Sequence, residues 1–122
     1  MACAEIIAGK AGHVNYEAIA GIIYTNPELA GVGLTEDQAK EQGIDIRIGK
    51  FPFRANSRAL CIDDVAGMVK FVADAKTDRI LVAHILHHMA SELIAEAVPV
   101  FEFWRSSDEL GRPFHFHPAL WA

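Results

Sequence analysis

Two strand-like segments in the second half of the chain constrain its fold more than any other feature. Residues 67–74 and 79–86 are rich in branched, aromatic and other apolar side chains, and only Ala75–Asp78 separates them. A loop of this length is common in β-hairpins, whose two strands pair antiparallel. The sequence therefore predicts a hairpin here, and with it an antiparallel sheet.

Three segments in the first half also have the character of strands. Residues 21–25 and 29–33 are short runs that Asn26-Pro27 separates. Residues 44–53 alternate between apolar and polar side chains, which predicts a half-buried strand. We expect its even-numbered side chains to form the apolar face.

Two helices are predicted from their capping and periodicity. Thr35 and Gln38 have the spacing of a capping box, so a helix is expected to run from there to a stop at Gly43. Residues 91–98 have apolar side chains at helical spacing, but Pro99 follows directly and predicts a kink or an early end.

The remaining segments are shorter or irregular. Residues 2–8 predict the stub of a helix, which Gly9–Gly12 ends, and residues 55–64 read as polar and irregular. Single helices between strands, beside an antiparallel hairpin, predict an α+β fold in which an antiparallel sheet is flanked by helices.

Composition narrows the class of protein. The chain has 122 residues, of which 52% are hydrophobic and 22% charged, with a formal net charge of −5. This favours one globular domain with a single core. The absence of a basic cluster argues against nucleic acid, and no apolar run is long enough to predict a membrane span.

The two cysteines, Cys3 and Cys61, form neither a CxxC motif nor a disulfide framework. The N-terminal residues lack the pattern of a signal peptide, so a reducing compartment is expected. Cys61 is interpreted as an ordinary thiol.

The C-terminal residues carry the candidate chemistry. His115 and His117 would point the same way in an extended segment, and Pro118 would fix the backbone that aims them. Imidazole titrates near neutrality, so this pattern is one way to present a proton-transfer group. The alternative is two exposed terminal histidines with no special role.

Several segments, in order and spacing, resemble one family. They are Tyr24-Thr25-Asn26-Pro27-Glu28-Leu29-Ala30-Gly31-Val32-Gly33-Leu34-Thr35-Glu36, Gly49-Lys50-Phe51-Pro52-Phe53-Arg54-Ala55-Asn56-Ser57-Arg58-Ala59, Asp74-Ala75-Lys76-Thr77-Asp78-Arg79-Ile80-Leu81, Glu92-Leu93-Ile94-Ala95-Glu96-Ala97 and His115-Phe116-His117-Pro118. Together they resemble the C-terminal interface domain of the dihydrolipoamide dehydrogenases, which are pyridine nucleotide-disulfide oxidoreductases.

The resemblance implies an inactive isolated chain that forms part of a larger homodimeric enzyme. Residues 1–20 would be the tail of a preceding FAD-binding domain and its connector, and residues 21–122 the interface domain. The parent enzyme would oxidise dihydrolipoamide with NAD, through FAD and a redox disulfide, in a 2-oxo acid dehydrogenase complex. Its compartment would be a bacterial cytoplasm or the mitochondrial matrix.

The resemblance also implies roles for two residues. His117 would be the proton acceptor, and His117 with Pro118 would reach the flavin site of the partner subunit. No metal ligand is implied. The chain has neither a GxGxxG sequence nor a CxxxxC pair, so no FAD or NAD is expected on this chain alone.

The sequence departs from the family pattern near its end. Ala122 stands where the family has the glutamate that holds the catalytic histidine. Trp104 stands where a small residue is usual, and His87-His88-Met89 replaces a turn of the Gly-Pro type. The proton-transfer pair is therefore expected to be incomplete.

Two other functions are compatible with the residues. One is a small metal-binding protein that holds zinc with two or three of His84, His87, His88 and Glu92. The other is a homodimeric binding module without redox activity, whose exposed aromatic patch would be drawn from the following residues. They are Phe101, Phe103, Trp104, Phe114, Phe116 and Trp121. The alternative is that these aromatic side chains fill a homodimer interface.

Overall fold

A five-stranded antiparallel sheet forms the centre of the molecule, in a computed structural model that describes residues 1–103, 106–111, 117, 119 and 120. The strands are β1 (Gly21–Ile23), β2 (Glu28–Gly33), β3 (Ile46–Pro52), β4 (Met68–Asp74) and β5 (Ile80–His87). The helices are α1 (Ala2–Ile7), α2 (Glu36–Glu41), α3 (Ser57–Cys61), α4 (Ala90–Glu102) and α5 (Ser107–Gly111). The spatial order of the strands is β1-β2-β5-β4-β3, which confirms the predicted α+β fold.

The predicted hairpin is formed by β4 and β5, which pair antiparallel. Its turn is held by the carboxylate of Asp74, which accepts backbone hydrogen bonds from Thr77 (2.9 Å) and Lys76 (2.7 Å). These amides stabilise the charged form and lower the pKa of Asp74. The Asp74 side chain therefore stabilises the turn together with the backbone hydrogen bond from Asp78 N–H to the Asp74 carbonyl (2.9 Å).

Helix α2 begins with the predicted capping box. Gln38 N–H donates to Thr35 Oγ1 (3.2 Å), and Thr35 N–H donates to Gln38 Oε1 (2.8 Å). The chain leaves the helix through Gly43, whose φ of +71° suits a residue without a Cβ. Both predicted ends of this helix are confirmed.

An ion-pair network ties α2 to the sheet. Glu36 accepts from Lys40 on the same helix (2.6 Å) and from Lys70 on β4 (2.5 Å). The two ammonium groups lower the pKa of Glu36 to about 2. All three side chains are partly exposed, so the network contributes orientation more than stability.

Two apolar clusters lie on opposite faces of the sheet, because neighbouring residues of a strand alternate between faces. Helix α4 packs on β2 and β5 over the larger cluster. Its buried members are Ala30, Val32, Phe53, Ala59, Ala83, Ile85, Ala90, Leu93, Ile94 and Ala97. Helix α2 covers the smaller one, formed by Ala39, Val72, Leu81 and Val82.

One row of apolar side chains crosses the sheet without cover. The register pairs Ile23 with Leu29, Leu29 with Leu86, and Leu86 with Met68. All four side chains are exposed, at 36–57% of their full area. An aligned apolar row of this kind is typical of a surface that a larger assembly covers.

The prediction of a half-buried strand at residues 44–53 was only partly right. Strand β3 forms, but it is an edge strand that pairs with β4 alone. Ile46 packs against the smaller cluster, whereas Ile48 is 43% exposed. The alternating pattern therefore located the strand but did not show that α2 covers only one end of it.

Residues 55–64 are not irregular as expected. A 3-10 turn at Phe53–Ala55 leads into α3, and Asn56 caps that helix by accepting a hydrogen bond from Ala59 N–H (3.0 Å). The helix has five residues, too few to show a helical apolar period. Its only sequence signal was the capping asparagine.

The early end predicted at Pro99 is wrong, because helix α4 runs on to Glu102. Phe103 N–H donates to the carbonyl of Pro99 (3.0 Å), so the ladder continues past the ring. Pro99 is exposed, while Ala97 and Val100 on either side are buried. Packing of the helix on the sheet therefore outweighs the loss of one backbone donor. None of the described helices is long and apolar enough to cross a membrane.

Candidate functional site

The described end of the chain is fastened to the domain by Asn56. The side-chain amide of Asn56 donates to the carbonyl oxygens of Ala119 (3.1 Å) and Leu120 (3.2 Å). Leu120 also packs against the larger apolar cluster. Two kinds of contact, polar and apolar, thus fix residues 119 and 120 against the body of the domain.

Asn56 is well placed to act as this anchor. Its side chain is 3% exposed, and its Oδ1 accepts the Ala59 N–H that caps α3. One end of the amide thus holds α3 and the other holds the C-terminal segment. A buried amide that satisfies both ends is rigid, because rotating it would break hydrogen bonds on both sides.

The candidate base, His117, lies two residues before the anchored segment and is exposed. Its imidazole is therefore accessible to a second molecule or subunit. His115, Pro118 and Ala122 lie outside the described residues, so the predicted role of Pro118 and the missing carboxylate at Ala122 remain predictions from the sequence.

A second cluster of polar side chains forms where β5 ends. His87 and His88 come together with Asp64, and one ligand atom from each lies within 4.8 Å of the others. His84 and Glu92, which the sequence offered as zinc ligands beside His87 and His88, do not belong to this group. The residue that sequence reasoning missed is Asp64, in the loop after α3.

His84 is separated from His87 because strand residues alternate between faces. His84 pairs in register with Lys70 and with Gly31, on the face that α4 does not cover. Burial lowers the pKa of His84, and the nearby Lys70 ammonium lowers it further. Of the four residues offered as zinc ligands, His87 and His88 therefore come together, whereas His84 lies on the other face.

The aromatic residues suggested as an adhesive patch are divided by the structure. Phe101 is half-buried against the larger cluster, whereas Phe103 is 67% exposed. Trp104, Phe114, Phe116 and Trp121 lie outside the described residues. The exposed aromatic patch thus stays a prediction. Phe101 could contribute only part of its side chain to it, because the rest packs against the larger cluster.

Comparison with known proteins identifies the family. Residues 19–121 match the family described as "Pyridine nucleotide-disulphide oxidoreductase, dimerisation domain". The chain belongs to this dimerisation-domain family. The match covers β1 to β5, the helices between them and the C-terminal segment that carries His117.

Relatives of this dimerisation domain are close in sequence. The mitochondrial dihydrolipoyl dehydrogenase of Pisum sativum is 50% identical over 120 residues, which is 98% of this chain and 24% of that protein. The mitochondrial dihydrolipoyl dehydrogenase 1 of Arabidopsis thaliana is 51% identical, with the same coverage. The chain therefore spans about a quarter of the length of these relatives.

A solved structure has the same fold. The HOCl-induced flavoprotein disulfide reductase RclA from Escherichia coli is 28% identical, with a TM-score of 0.87. The likeness covers 97% of this chain and 28% of that one. The dimerisation domain is thus of the dihydrolipoyl dehydrogenase type in sequence and of the flavoprotein disulfide reductase type in fold.

Proposed function

We propose that this domain serves an FAD- and NAD-dependent dihydrolipoamide dehydrogenase, as its dimerisation domain. The observation that supports this is the identity of about half the residues, over 98% of the chain, to dihydrolipoyl dehydrogenases. In such an enzyme electrons pass from a dithiol substrate through a cysteine pair and FAD to NAD. This chain has no glycine-rich nucleotide fingerprint, so its own residues would contribute contacts and a base rather than hold either cofactor.

His117 is the residue we assign to proton transfer. The thiolate, and not the thiol, attacks a disulfide, so oxidation of dihydrolipoamide needs a group that accepts the thiol proton. An exposed imidazole two residues before an anchored segment is accessible to a partner subunit and restrained by Asn56 at the same time. His117 and Pro118 would meet the flavin site of the other protomer.

The assembly would be a homodimer. The family is described as a dimerisation domain, and an apolar row of Ile23, Leu29, Leu86 and Met68 is exposed on the sheet. Residues 1–20 would belong to a preceding FAD-binding domain and its connector. The parent would work in a 2-oxo acid dehydrogenase complex, in a bacterial cytoplasm or the mitochondrial matrix; both plant relatives are named as mitochondrial proteins.

A chimera tests the proposed activity. This chain would replace the matching quarter of the Pisum sativum enzyme, and dihydrolipoamide-dependent NAD reduction would be measured with a His117→Gln variant beside it. The chimera should bind FAD and turn over, whereas His117→Gln should lose at least about a hundredfold in rate, the usual size of a general-base contribution.

His13→Gln is the matched control, because His13 is a histidine far from the C-terminal segment in sequence. It should leave the rate unchanged. A folded, flavin-loaded chimera in which His117→Gln is as active as the parent would show that His117 is not the base.

A further inference from the structure

A histidine-histidine-aspartate cluster lies where β5 passes into α4. His87 is the last residue of β5 and His88 follows it, while Asp64 lies in the loop between α3 and β4. The cluster is remote in sequence from His117 and has no part in the proposed proton transfer. Its three groups come from two segments that are far apart in sequence and that the fold brings together.

We propose that His88 and Asp64 bind a divalent transition-metal ion such as Zn²⁺ or Cu²⁺, and that His87 positions Asp64 for this. His88 Nδ1 and Asp64 Oδ2 are in direct contact. Their side chains are 41% and 29% exposed, so an ion can reach both atoms from solvent. An imidazole nitrogen with a carboxylate oxygen is a donor pair that suits these metals, and water completes the coordination.

The role of His87 follows from its hydrogen bonds. Met89 N–H donates to His87 Nδ1 (3.2 Å), so the ring proton of the neutral imidazole lies on Nε2. That nitrogen is 3.3 Å from the carbonyl oxygen of Asp64 and 3.6 Å from its Oδ2. A nitrogen that carries a proton cannot bind a metal, so His87 orients Asp64 and is not itself a ligand.

The ring of His87 is held firmly in this position. Its side chain is fully buried, and its centroid is 4.1 Å from that of Phe53. His87 thus holds the backbone of Asp64 in place, and partners that orient a metal ligand commonly change metal affinity by about 10- to 100-fold.

The surroundings of His88 also favour a cation. Glu28 pairs in register with His87, the residue before His88, and its carboxylate accepts a hydrogen bond from Ser91 N–H (2.9 Å). Two carboxylates, those of Asp64 and Glu28, therefore lie in this part of the fold. Their combined charge attracts an ion that the single imidazole would hold weakly.

Calorimetric titration of the untagged 122-residue chain with Zn²⁺ tests the site. We expect one equivalent to bind, and His88→Ala and Asp64→Asn each to weaken binding by about tenfold or more. His84→Ala is the matched control, because His84 lies on the same strand but points to the other face. The affinity of His84→Ala for Zn²⁺ should equal that of the unchanged chain. Circular dichroism should show that all variants are folded.

Spectroscopy of the Cu²⁺ complex tests the division of roles. Nitrogen hyperfine couplings should report one coordinated imidazole, lost in His88→Ala and retained in His84→Ala. Two coordinated imidazoles would overturn the positioning role of His87. An unchanged affinity in His88→Ala and Asp64→Asn, or no saturable binding below about 1 mM, would show an ion pair only and overturn the site.

Discussion

The side-chain amide of Asn56 donates a hydrogen bond to the carbonyl oxygen of Ala119 across 3.1 Å, and so joins residues 63 positions apart. Through this bond a residue that caps a five-residue helix also determines where the end of the chain lies. The candidate base, His117, is two residues from the anchor. The position of the base therefore depends on a side chain that takes no part in the chemistry.

Replacing Asn56 by alanine should destabilise the domain by about 2–3 kcal/mol. Loss of the N-cap of α3 accounts for about 1 kcal/mol, and the carbonyl groups left without a donor account for the rest. Denaturant unfolding measures the change. Asn56→Asp retains the capping oxygen but not the donor, so its free energy of unfolding should lie between those of the alanine variant and the unchanged chain.

Asn15 provides the matched comparison. It also accepts a backbone hydrogen bond, from Glu17 N–H (3.1 Å), but the 3-10 turn that it caps has three residues, two of them exposed. Asn15→Ala should lower the free energy of unfolding by less than about 1 kcal/mol. Equal losses at both positions would mean that the contact with Ala119 and Leu120 contributes little.

Gly67 should not tolerate alanine. Its φ is +93°, and an added Cβ would meet the carbonyl oxygen of Leu86 on the neighbouring strand. Gly67→Ala should therefore lower the free energy of unfolding by about 2 kcal/mol or more. Gly49→Ala, on the edge strand with open space around the position, should change it by less than about 0.5 kcal/mol, and a similar loss at both sites would contradict the explanation.

Stability should fall as the pH drops below about 6.5, in part because of His84. Its pKa is lowered in the folded state, by burial and by Lys70, so the unfolded chain takes up the proton first. The contribution of His84 therefore lowers the free energy of unfolding as the pH falls, and this decrease stops once the pH is below the folded-state pKa. Thermal melting between pH 5 and 8 should show a smaller dependence in His84→Gln, and an identical dependence would exclude this cause.

The strands and the capped helix could be predicted because their signals are local. The hairpin of β4 and β5 needed only two apolar runs and a short loop, and the box of Thr35 and Gln38 needed only its spacing. The predictions were wrong where tertiary packing determines the local structure. Pro99 is tolerated because its neighbours are buried against the sheet, which a local pattern cannot show.

The residues of the candidate sites also differ in whether a local sequence signal could identify them. His117 could be chosen from a resemblance, because the motif around it is contiguous in sequence. Its anchor could not, because Asn56 lies 63 residues from Ala119 and gives no local signal for that contact. Asp64 was missed as the partner of His87 and His88 for the same reason: only the fold brings the α3 loop to the end of β5.

Ala122→Glu should increase the turnover of the chimeric enzyme. A carboxylate that accepts a hydrogen bond from an imidazole fixes its tautomer, and its absence from a catalytic site can cost up to about 10⁴-fold in rate. We expect a gain of at least tenfold, seen in steady-state NAD reduction and abolished by His117→Gln. No gain in a folded, flavin-loaded chimera would refute the pairing of position 122 with His117.

Sedimentation equilibrium of the 122-residue chain tests the central claim most directly, because a dimerisation domain should associate through its own surface. The account predicts a dimer of about 27 kDa, twice the 13.4 kDa of one chain, at concentrations of tens of micromolar. Met68→Glu would place a charge in the exposed apolar row as a comparison variant. A folded chain that remained a monomer throughout this range would contradict the account.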